Sequence, residues 1–248
     1  MTTEFDFGDG NGSVPAHRHR NPHRTLGGWV ADTAKVDDSV HIAPAARVYQ
    51  HAIICGNAKI LDNSRISGNA SVSQHAKVGG NAHVDGNAKV YGNAIITDCA
   101  LVYGCATVNG NAEICGEAKV YGNATVTGNA HIFHSTIIKD DAWVGDKVLV
   151  FGAAHIIHFA KICNEACIDD NATICFNAQI KDQANVFGDA VIGHQTIVCD
   201  QVKIGGTAQL FLSEDEPVTG NLTLLSGTRH TPGHNIKELL QLDADIGL

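Results

Sequence analysis

Apolar and polar residues alternate along most of this chain with a strict period of six. Every sixth residue from Val30 to Leu210 is Val, Ile or Leu, and the residue two places earlier is usually Ala. Polar residues stand between them, and Gly-Asn often closes the unit, as in Ala88–Asn93. Alternation over four residues followed by Gly-Asn predicts a short strand and a tight turn, since Gly and Asn accept positive φ at least cost.

The repeat runs without insertion over residues 28–210. A fixed period predicts a solenoid, and six residues is the period of a parallel β-helix. Three such sides close a triangular prism, and at a strand spacing of about 4.8 Å roughly ten coils would make a rod on the order of 50 Å long. We therefore predict an all-β parallel β-helix over residues 27–212. It would follow an irregular N-terminal arm (1–26) and precede a C-terminal cap (213–248) with a short helix over 236–242.

Particular copies of the repeat point to a known group. The units Val90–Ala94 and Val120–Ala124, and the segment Gly27–Val30 that begins the repeat, resemble hexapeptide-repeat proteins and are similar to a bacterial, acetyltransferase-like branch of them. The resemblance covers about residues 27–212. It implies a left-handed β-helix, against the usual right-handed crossover rule, and a homotrimer with parallel axes. Enzymes and non-enzymes share the repeat, so it does not decide activity.

Charge and cysteine usage narrow the partners and the compartment. The net charge of −9 and pI near 5.8 disfavour nucleic acid and anionic membranes, which are themselves polyanionic. We find no charged-then-apolar leader and no apolar run of about eighteen residues, so we expect a cytoplasmic protein without a membrane partner. Five of the eight cysteines occupy the slot after the core aliphatic residue, which predicts reduced thiols rather than a disulfide framework.

Outward-facing apolar residues predict an interface. Folding the sequence with a period of eighteen places two groups of three on either side of one prism edge: Phe133, Phe151 and Phe187 on one side, and Leu101, Ile137 and Val191 on the other. A contiguous exposed apolar patch usually marks an interface, so we predict self-association along this edge. The alternative is a set of aromatic ladders on a monomer. Tyr49, Ile157 and Phe211 are also expected to point outward.

Histidines at corner slots are the candidate catalytic residues. Acyl transfer needs a general base that titrates near neutral pH. The resemblance implies such a His near a corner, often beside an inserted loop, and facing a groove between subunits. His134 and His158 occupy corner slots, and His134 lies on the predicted interface edge. The repeat has no inserted loop, so the alternative is that both are turn residues, and we assign them no carboxylate partner.

We predict no metal site. Cys163 and Cys167 straddle a corner, which directs their thiols along different faces. His17, His19 and His23 of the N-terminal arm have no acidic partner nearby in sequence. They could bind a metal or an anion, but a basic tail, solvated or laid over the end of the core, is the favoured interpretation.

Two functional hypotheses remain. The first is a non-catalytic structural or binding module without a cofactor, which the uninterrupted repeat favours. The second is a coenzyme A-dependent acyltransferase using acetyl-CoA or another acyl-CoA in an intersubunit site, which rests on the resemblance and the corner histidines. Whether the protein is an enzyme is therefore open at this stage.

Overall fold

The molecule is a parallel β-solenoid of about eleven coils, and the computed structural model describes its residues 3–231. Every regular element in that range is a strand, and most strands are two residues long. Strands eighteen residues apart pair in parallel, so each coil contributes one strand to each of three faces. The predicted parallel β-helix is thus confirmed.

The strand bounds define the three faces. The first face contains Leu26–Ala31, Arg47–Val48, Arg65–Ile66, His83–Val84, Leu101–Val102, Lys119–Val120, Ile137–Ile138, His155–Ile156, Thr173–Ile174, Val191–His194, Gln209–Leu212 and Thr228–His230. The second face contains Lys35–Val36, Ile53–Ile54, Ser71–Val72, Lys89–Val90, Thr107–Val108, Thr125–Val126, Trp143–Val144, Lys161–Ile162, Gln179–Ile180 and Ile197–Val198. The third face contains His41–Ile42, Lys59–Ile60, Lys77–Val78, Ile95–Ile96, Glu113–Ile114, His131–Ile132, Leu149–Val150, Cys167–Ile168, Asn185–Val186, Lys203–Ile204 and Thr223–Leu224.

The core is the inward half of the repeat. The Ala and the Val or Ile positions are fully buried from coil to coil and form one continuous apolar cluster. Ser64, Thr136 and Thr196 replace Ala and are equally buried. Each of their hydroxyls donates to the carbonyl three residues earlier, at 2.6–2.8 Å. A buried polar group costs little when it is hydrogen-bonded, so these substitutions leave the prism intact.

The corners adopt the left-handed conformation that the Gly-Asn pattern predicts. Gly110 has φ of 70°, and a Cβ added there would lie 2.7 Å from the carbonyl oxygen of Gly128 in the next coil. Asp, Asn, Gln, His and one Phe occupy other corners at φ of 52° to 61°. Asn and Asp tolerate this region well, whereas Phe176, at 56°, is strained there.

An ordered hairpin precedes the coils, where the sequence predicts an irregular arm. Strands Glu4–Asp6 and Ser13–Arg20 are antiparallel, and the second also pairs antiparallel with Leu26–Ala31 of the first face. Phe7 and Tyr49 stack with ring centroids 5.0 Å apart, and Phe5 stacks on Trp29 at 4.5 Å. These rings form a second small core between the hairpin and the coils.

Two arm residues cap the first coil. Each backbone N–H of the ladder donates to a carbonyl in the following coil, which leaves the carbonyls of the first coil without a ladder partner. His19 Nε2 donates to Val40 O at 2.9 Å, and Asn21 Nδ2 donates to Ile42 O at 3.1 Å. Ile42 N donates in return to Asn21 Oδ1 at 2.8 Å. His19 and Asn21 are buried for this reason.

The solenoid continues beyond Leu212 in one irregular coil. Val218 bridges Val198, Thr223–Leu224 pairs with Lys203–Ile204, and Thr228–His230 pairs with the strand ending at Leu212. The charged segment after Leu212 is accommodated as a longer corner before this coil. The predicted helix over 236–242 lies outside the described residues. In residues 3–231 no helix is long and apolar enough to cross a membrane.

Candidate functional site

Side chains at the corners cap the coil that follows. A corner residue in the left-handed conformation accepts a hydrogen bond from the backbone N–H eighteen residues later, as Asp98 does from Gly116 at 3.0 Å. The same bond is made by Asp62, Gln74, Asp140, Asp146, Asp170 and Asp182. Corner side chains therefore stabilise the stack as well as the turn.

The two predicted catalytic histidines take part in this capping. His134 Nδ1 accepts from Gly152 N, and His158 Nδ1 accepts from Phe176 N, both at 3.3 Å. An imidazole nitrogen that accepts carries no proton, so the neutral ring bears its proton on Nε2. Either ring would have to give up its cap to act as a general base. The two histidines lie on different edges of the prism, and their catalytic role stays a prediction.

A histidine and a carboxylate that the sequence analysis did not pair meet on the third face. His131 Nδ1 lies 3.2 Å from Glu113 Oε2, one coil below, and both side chains are about two-fifths exposed. The carboxylate accepts a hydrogen bond from Nδ1–H, which leaves the lone pair of the neutral ring on Nε2. This is the arrangement of an oriented general base. The spacing of eighteen residues is the signal that could have paired them.

The surroundings of this pair are apolar. The rings of His131 and Phe133 are stacked at 5.8 Å, and Leu149 follows His131 on the next coil. Burial, followed by the charges of Asp98 and Glu113, raises the pKa of the Cys115 thiol to about 11. Cys115 is therefore a poor nucleophile near neutral pH. The pair has an oriented imidazole but no activated thiol beside it.

A second histidine cluster occupies the edge between the first and second faces. His158 and Phe176 stack at 4.9 Å, and His194 Nδ1 donates to Leu212 O at 3.0 Å. Phe159, on the same edge, is 63% exposed. These groups cover adjacent coils and extend the aromatic surface on this edge.

The predicted interface residues flank one edge as expected. Phe133, Phe151 and Phe187 lie on the third face, and Leu101, Ile137 and Val191 lie on the first face, all of them half-buried within one chain. The Phe187 ring lies over Gly205 of the next coil, where an added Cβ would come within 2.3 Å of it. Whether they form an interface remains a prediction.

Three residues expected to point outward are buried. Tyr49 is covered by the N-terminal hairpin through Phe7, and Ile157 and Phe211 are 1% exposed. An added Cβ at Gly193 would lie 2.7 Å from the Phe211 ring, so that ring fills the space this glycine leaves. The period of eighteen identifies the column in which a residue lies, but not whether neighbouring residues cover it.

The histidines of the arm are held by the fold. His17 Nδ1 lies 2.8 Å from Asp32 Oδ1, an acidic partner that the sequence reading did not identify. His19 is a buried cap of the first coil. His19 therefore lies as one form of the favoured interpretation expects, in a segment laid over the end of the core.

One group of side chains in the described part of the chain has the proximity of metal ligands. Atoms of Asp182, Cys199 and Asp200 lie within 4.8 Å of one another. Asp182 Oδ2 accepts from Asp200 N, and Asp200 Oδ2 accepts from Gly220 N, as corner caps do elsewhere. Burial raises the pKa of Cys199, which disfavours a thiolate ligand. We therefore assign no metal to these residues.

The same edge, between the second and third faces, carries a cavity of about 780 Å³. It is lined by corner residues of five coils, including Asp146, Asp182 and Asp200, and Lys147 pairs there with Glu165 at 2.9 Å. Its aspartates serve as corner caps, so the geometry of this cavity follows from the repeat.

The comparisons with known proteins concern the fold. No protein-family model matches the chain, and no curated protein matches it significantly. The solved UDP-N-acetylglucosamine acyltransferase of Francisella novicida is 21% identical over 70% of this chain, with a TM-score of 0.42. The chain spans 63% of that enzyme, less than two thirds of its length.

Two further solved structures are similar at comparable sequence identity. LpxA from Acinetobacter baumannii is 18% identical over 86% of this chain and 77% of its own, with a TM-score of 0.40. The UDP-N-acetylglucosamine O-acyltransferase LpxA from Moraxella catarrhalis is 21% identical over 68% of each chain, with a TM-score of 0.25. The hexapeptide-repeat β-helix fold of this chain is seen in its own repeat and strand pairing. At these identities the likeness does not extend to a site.

Proposed function

We propose that the protein is a rigid, non-catalytic structural or binding module that assembles as a homotrimer along the edge between the third and first faces. The observation that carries this proposal is the uninterrupted stack. Between Gly28 and Leu210 every corner keeps to the repeat, so no inserted loop encloses a reaction site. Loops ordinarily carry catalytic residues, and a rod of repeated ladders suits a partner that contacts several coils.

Apolar residues on both sides of this edge support the proposed assembly. On the first face they alternate with Lys119, His155 and Thr173. Leu101, Ile137 and Val191 face away from the core and stay half-buried in one chain, as do Phe133 and Phe151 across the edge. Leu149, beside them on the third face, is 41% exposed. Packing this strip against a second copy would remove its apolar surface from water, which is the main driving force of association.

The mass in solution tests the assembly. Multi-angle light scattering is expected to give three times the chain mass of 26.2 kDa. Ile137→Glu on the edge should lower the mass, whereas Ile53→Glu at the equivalent strand position of the second face should not. Both isoleucines point away from the core, so both variants should fold. A wild-type mass of one chain would overturn the proposed trimer.

A coenzyme A-dependent acyltransferase is the second candidate, and the Glu113–His131 pair favours it. The oriented imidazole lies next to Phe133 and therefore beside the proposed intersubunit edge. Against it, a polyanionic donor such as acetyl-CoA needs cationic groups. The corner slots of this edge carry Asp98, Glu117, Asp170 and Asp189. Lys119 lies between Leu101 and Ile137 on the first face, but the acidic slots outnumber it, which disfavours the phosphates of such a donor.

Acetyl-CoA binding separates the two candidates. In a thermal-shift titration up to millimolar acetyl-CoA, the binding-module proposal expects no saturable change in Tm. Saturable stabilisation, together with thiol release that His131→Asn abolishes and that His75→Asn on another edge leaves intact, would reverse the order of the candidates.

We also place the protein in the cytoplasm, with neither nucleic acid nor a membrane as partner. The net charge of −9 supports the exclusion of polyanions. All eight cysteines are free thiols in the structure, which is typical of a reducing compartment. Cell fractionation with an antibody to the protein would test this localisation.

A further inference from the structure

A cavity of about 660 Å³ lies where the N-terminal hairpin meets the first coils. Its volume falls within the range of small-molecule sites in proteins, roughly 300–1,000 Å³. The hairpin contributes Phe7, Asp9 and Val14, and the coils contribute Asp32, Tyr49 and Asn69. The repeat alone would leave flat faces here, so the hairpin creates the concavity.

One wall of the cavity is apolar and rigid. Phe7 and Tyr49 stack at 5.0 Å, and Arg47 fixes the hairpin by donating to Phe7 O at 2.8 Å. Val14 and Pro15 complete the wall. The hairpin turn is held separately, because Gln50 Nε2 donates to Asp9 Oδ2 at 3.3 Å. The shape of the cavity is therefore preformed.

The Tyr49 hydroxyl is the group in this cavity that the fold does not explain. Tyr49 is 5% exposed, yet its hydroxyl has no hydrogen-bond partner within residues 3–231. The hydroxyl keeps some accessible surface, and Tyr49 is one of the residues that line the cavity. A buried tyrosine hydroxyl usually finds a partner. A ligand hydroxyl in the cavity would provide one.

The donors of Asn11, Thr33 and Gln50 are engaged within the fold, and His51 also lines the cavity, whereas two other groups keep a free acceptor. Asp32 engages His17 through Oδ1 and keeps Oδ2 for a second bond. Asn69 Nδ2 donates to Asn87 at 3.2 Å, which leaves Asn69 Oδ1 as an acceptor. Asp9 and Asp32 line the cavity, and its described lining contains no Lys or Arg. Such a site disfavours anions and suits a neutral ligand with several hydroxyl donors.

We propose that this cavity binds a neutral sugar ring, with the apolar face of the ring against Val14 and Pro15 and its hydroxyl groups on Asp32, Asn69 and the Tyr49 hydroxyl. An apolar wall with a few fixed polar groups is the usual composition of a small-molecule site. The site lies at the N-terminal end of the rod, away from the proposed interface edge. Sugar binding therefore does not depend on the proposed trimer.

Saturation-transfer NMR with the full chain tests this assignment. The probes are D-glucose, D-galactose, D-mannose and L-rhamnose, each titrated to 50 mM, with D-glucose 6-phosphate as the anionic comparison. At least one neutral sugar is expected to bind saturably. Tyr49→Phe, which removes only the hydroxyl, and Asp32→Asn should each weaken it about 5- to 10-fold, the usual effect of losing one such hydrogen bond.

A matched control and two contrary outcomes complete the test. Tyr121→Phe, on the same face but coils away, should leave sugar affinity unchanged. Saturable binding to none of the four neutral sugars would overturn the proposal. Equal affinity in wild type and Tyr49→Phe, or tighter binding of the phosphorylated sugar, would overturn it as well. Thermal denaturation of each variant would show that the hairpin remains folded.

Discussion

Glu113 and His131 form a carboxylate–imidazole pair across two adjacent coils, with Glu113 Oε2 3.2 Å from His131 Nδ1. The two residues are register partners in the parallel ladder of the third face. A parallel solenoid places outward side chains eighteen residues apart directly over one another. The repeat therefore brings together two groups that are distant in sequence, and it does so without any catalytic loop.

The Glu113–His131 pair should contribute little to stability. Both side chains are partly exposed, and exposed ion pairs are worth about 0.2–1 kcal/mol. We expect Glu113→Gln to change the free energy of unfolding by less than about 1 kcal/mol, measured by urea denaturation. The variant should also change the environment of the His131 ring in NMR spectra. A loss well above that figure would identify the pair as a structural anchor.

His134 should be replaceable by Asp without loss of stability. Its Nδ1 caps Gly152 N, as Asp98 caps Gly116 N from the same edge. We expect His134→Ala to cost about 1–2 kcal/mol, from the lost hydrogen bond and the left-handed φ of 55°, which Ala tolerates less well than His or Asp. His134→Asp should recover most of this in thermal denaturation.

The same pair of variants separates the two interpretations of His134. If His134 is only a turn residue, the His134→Asp variant should keep every function of the protein. If His134 is a catalytic base, both variants should lose acyl transfer, even where His134→Asp keeps the wild-type Tm. Equal destabilisation by Ala and Asp would show that the Gly152 cap contributes nothing measurable.

The fold follows from the sequence because one local rule is repeated in every coil. Residues such as Val90 and Val120 lie inward, Gly-Asn turns take positive φ, and pairing at eighteen residues closes the prism. The Glu113–His131 pair was predictable from that same spacing. Finding it requires only that charged outward residues eighteen positions apart are compared with each other.

The hairpin and its cavity could not be predicted, because they lie outside the repeat. Asn21 bonds Ile42, and Phe7 stacks on Tyr49, over distances in sequence that no period specifies. Likewise, the repeat predicts the column in which Tyr49 lies but not its burial, because the hairpin that covers it has no repeated pattern. Non-repeated segments need tertiary information that a local rule lacks.

Asn21 should be one of the most sensitive positions in the chain. Its amide satisfies both the N–H and the carbonyl of Ile42 at the buried end of the first coil. We expect Asn21→Ala to lower the free energy of unfolding by about 2–4 kcal/mol, because both backbone groups lose their partner. Asn123→Ala, at an exposed corner, should cost at most about 0.5 kcal/mol. Similar losses in the two variants would contradict the capping role.

Acid should destabilise the protein partly through His83. Burial, the main cause, and the charge of Arg65 lower the pKa of His83 below its usual value, against the opposing charge of Asp85. Ser67 Oγ donates to Asp85 Oδ1 and so accepts from His83 Nε2, a bond that the neutral ring and the imidazolium can both make. Burial is therefore what disfavours the charged ring. The folded pKa lies below 6.5, so this contribution is present above pH 6.5 and is lost as pH falls through the folded pKa.

Urea denaturation between pH 7.5 and 5 measures this effect of His83. The wild-type free energy of unfolding should fall with acidification, and His83→Gln should show a shallower slope because its side chain does not titrate. Burial and Lys139 also lower the pKa of His155, so the double variant with His155→Gln should be shallower still. Parallel slopes for wild type and His83→Gln would contradict the assignment.

The cysteines should differ in reactivity according to their exposure and pKa. Cys99 and Cys105 are exposed, whereas burial and the charges of Asp98 and Glu113 raise the pKa of Cys115 to about 11. Because the thiolate is the reactive form, iodoacetamide at pH 8 should modify Cys99 and Cys105 well before Cys115 in peptide mass maps. The Cys115 rate should keep rising with pH toward 11.

Asp98→Asn provides the control for the Cys115 prediction. Removing the Asp98 charge removes the second cause of the raised pKa, so Cys115 should react faster at pH 8 in this variant. Cys175, which is fully buried, should stay unmodified until the protein unfolds. Labelling of wild-type Cys115 as fast as Cys99 at pH 8 would show that burial does not suppress its thiolate.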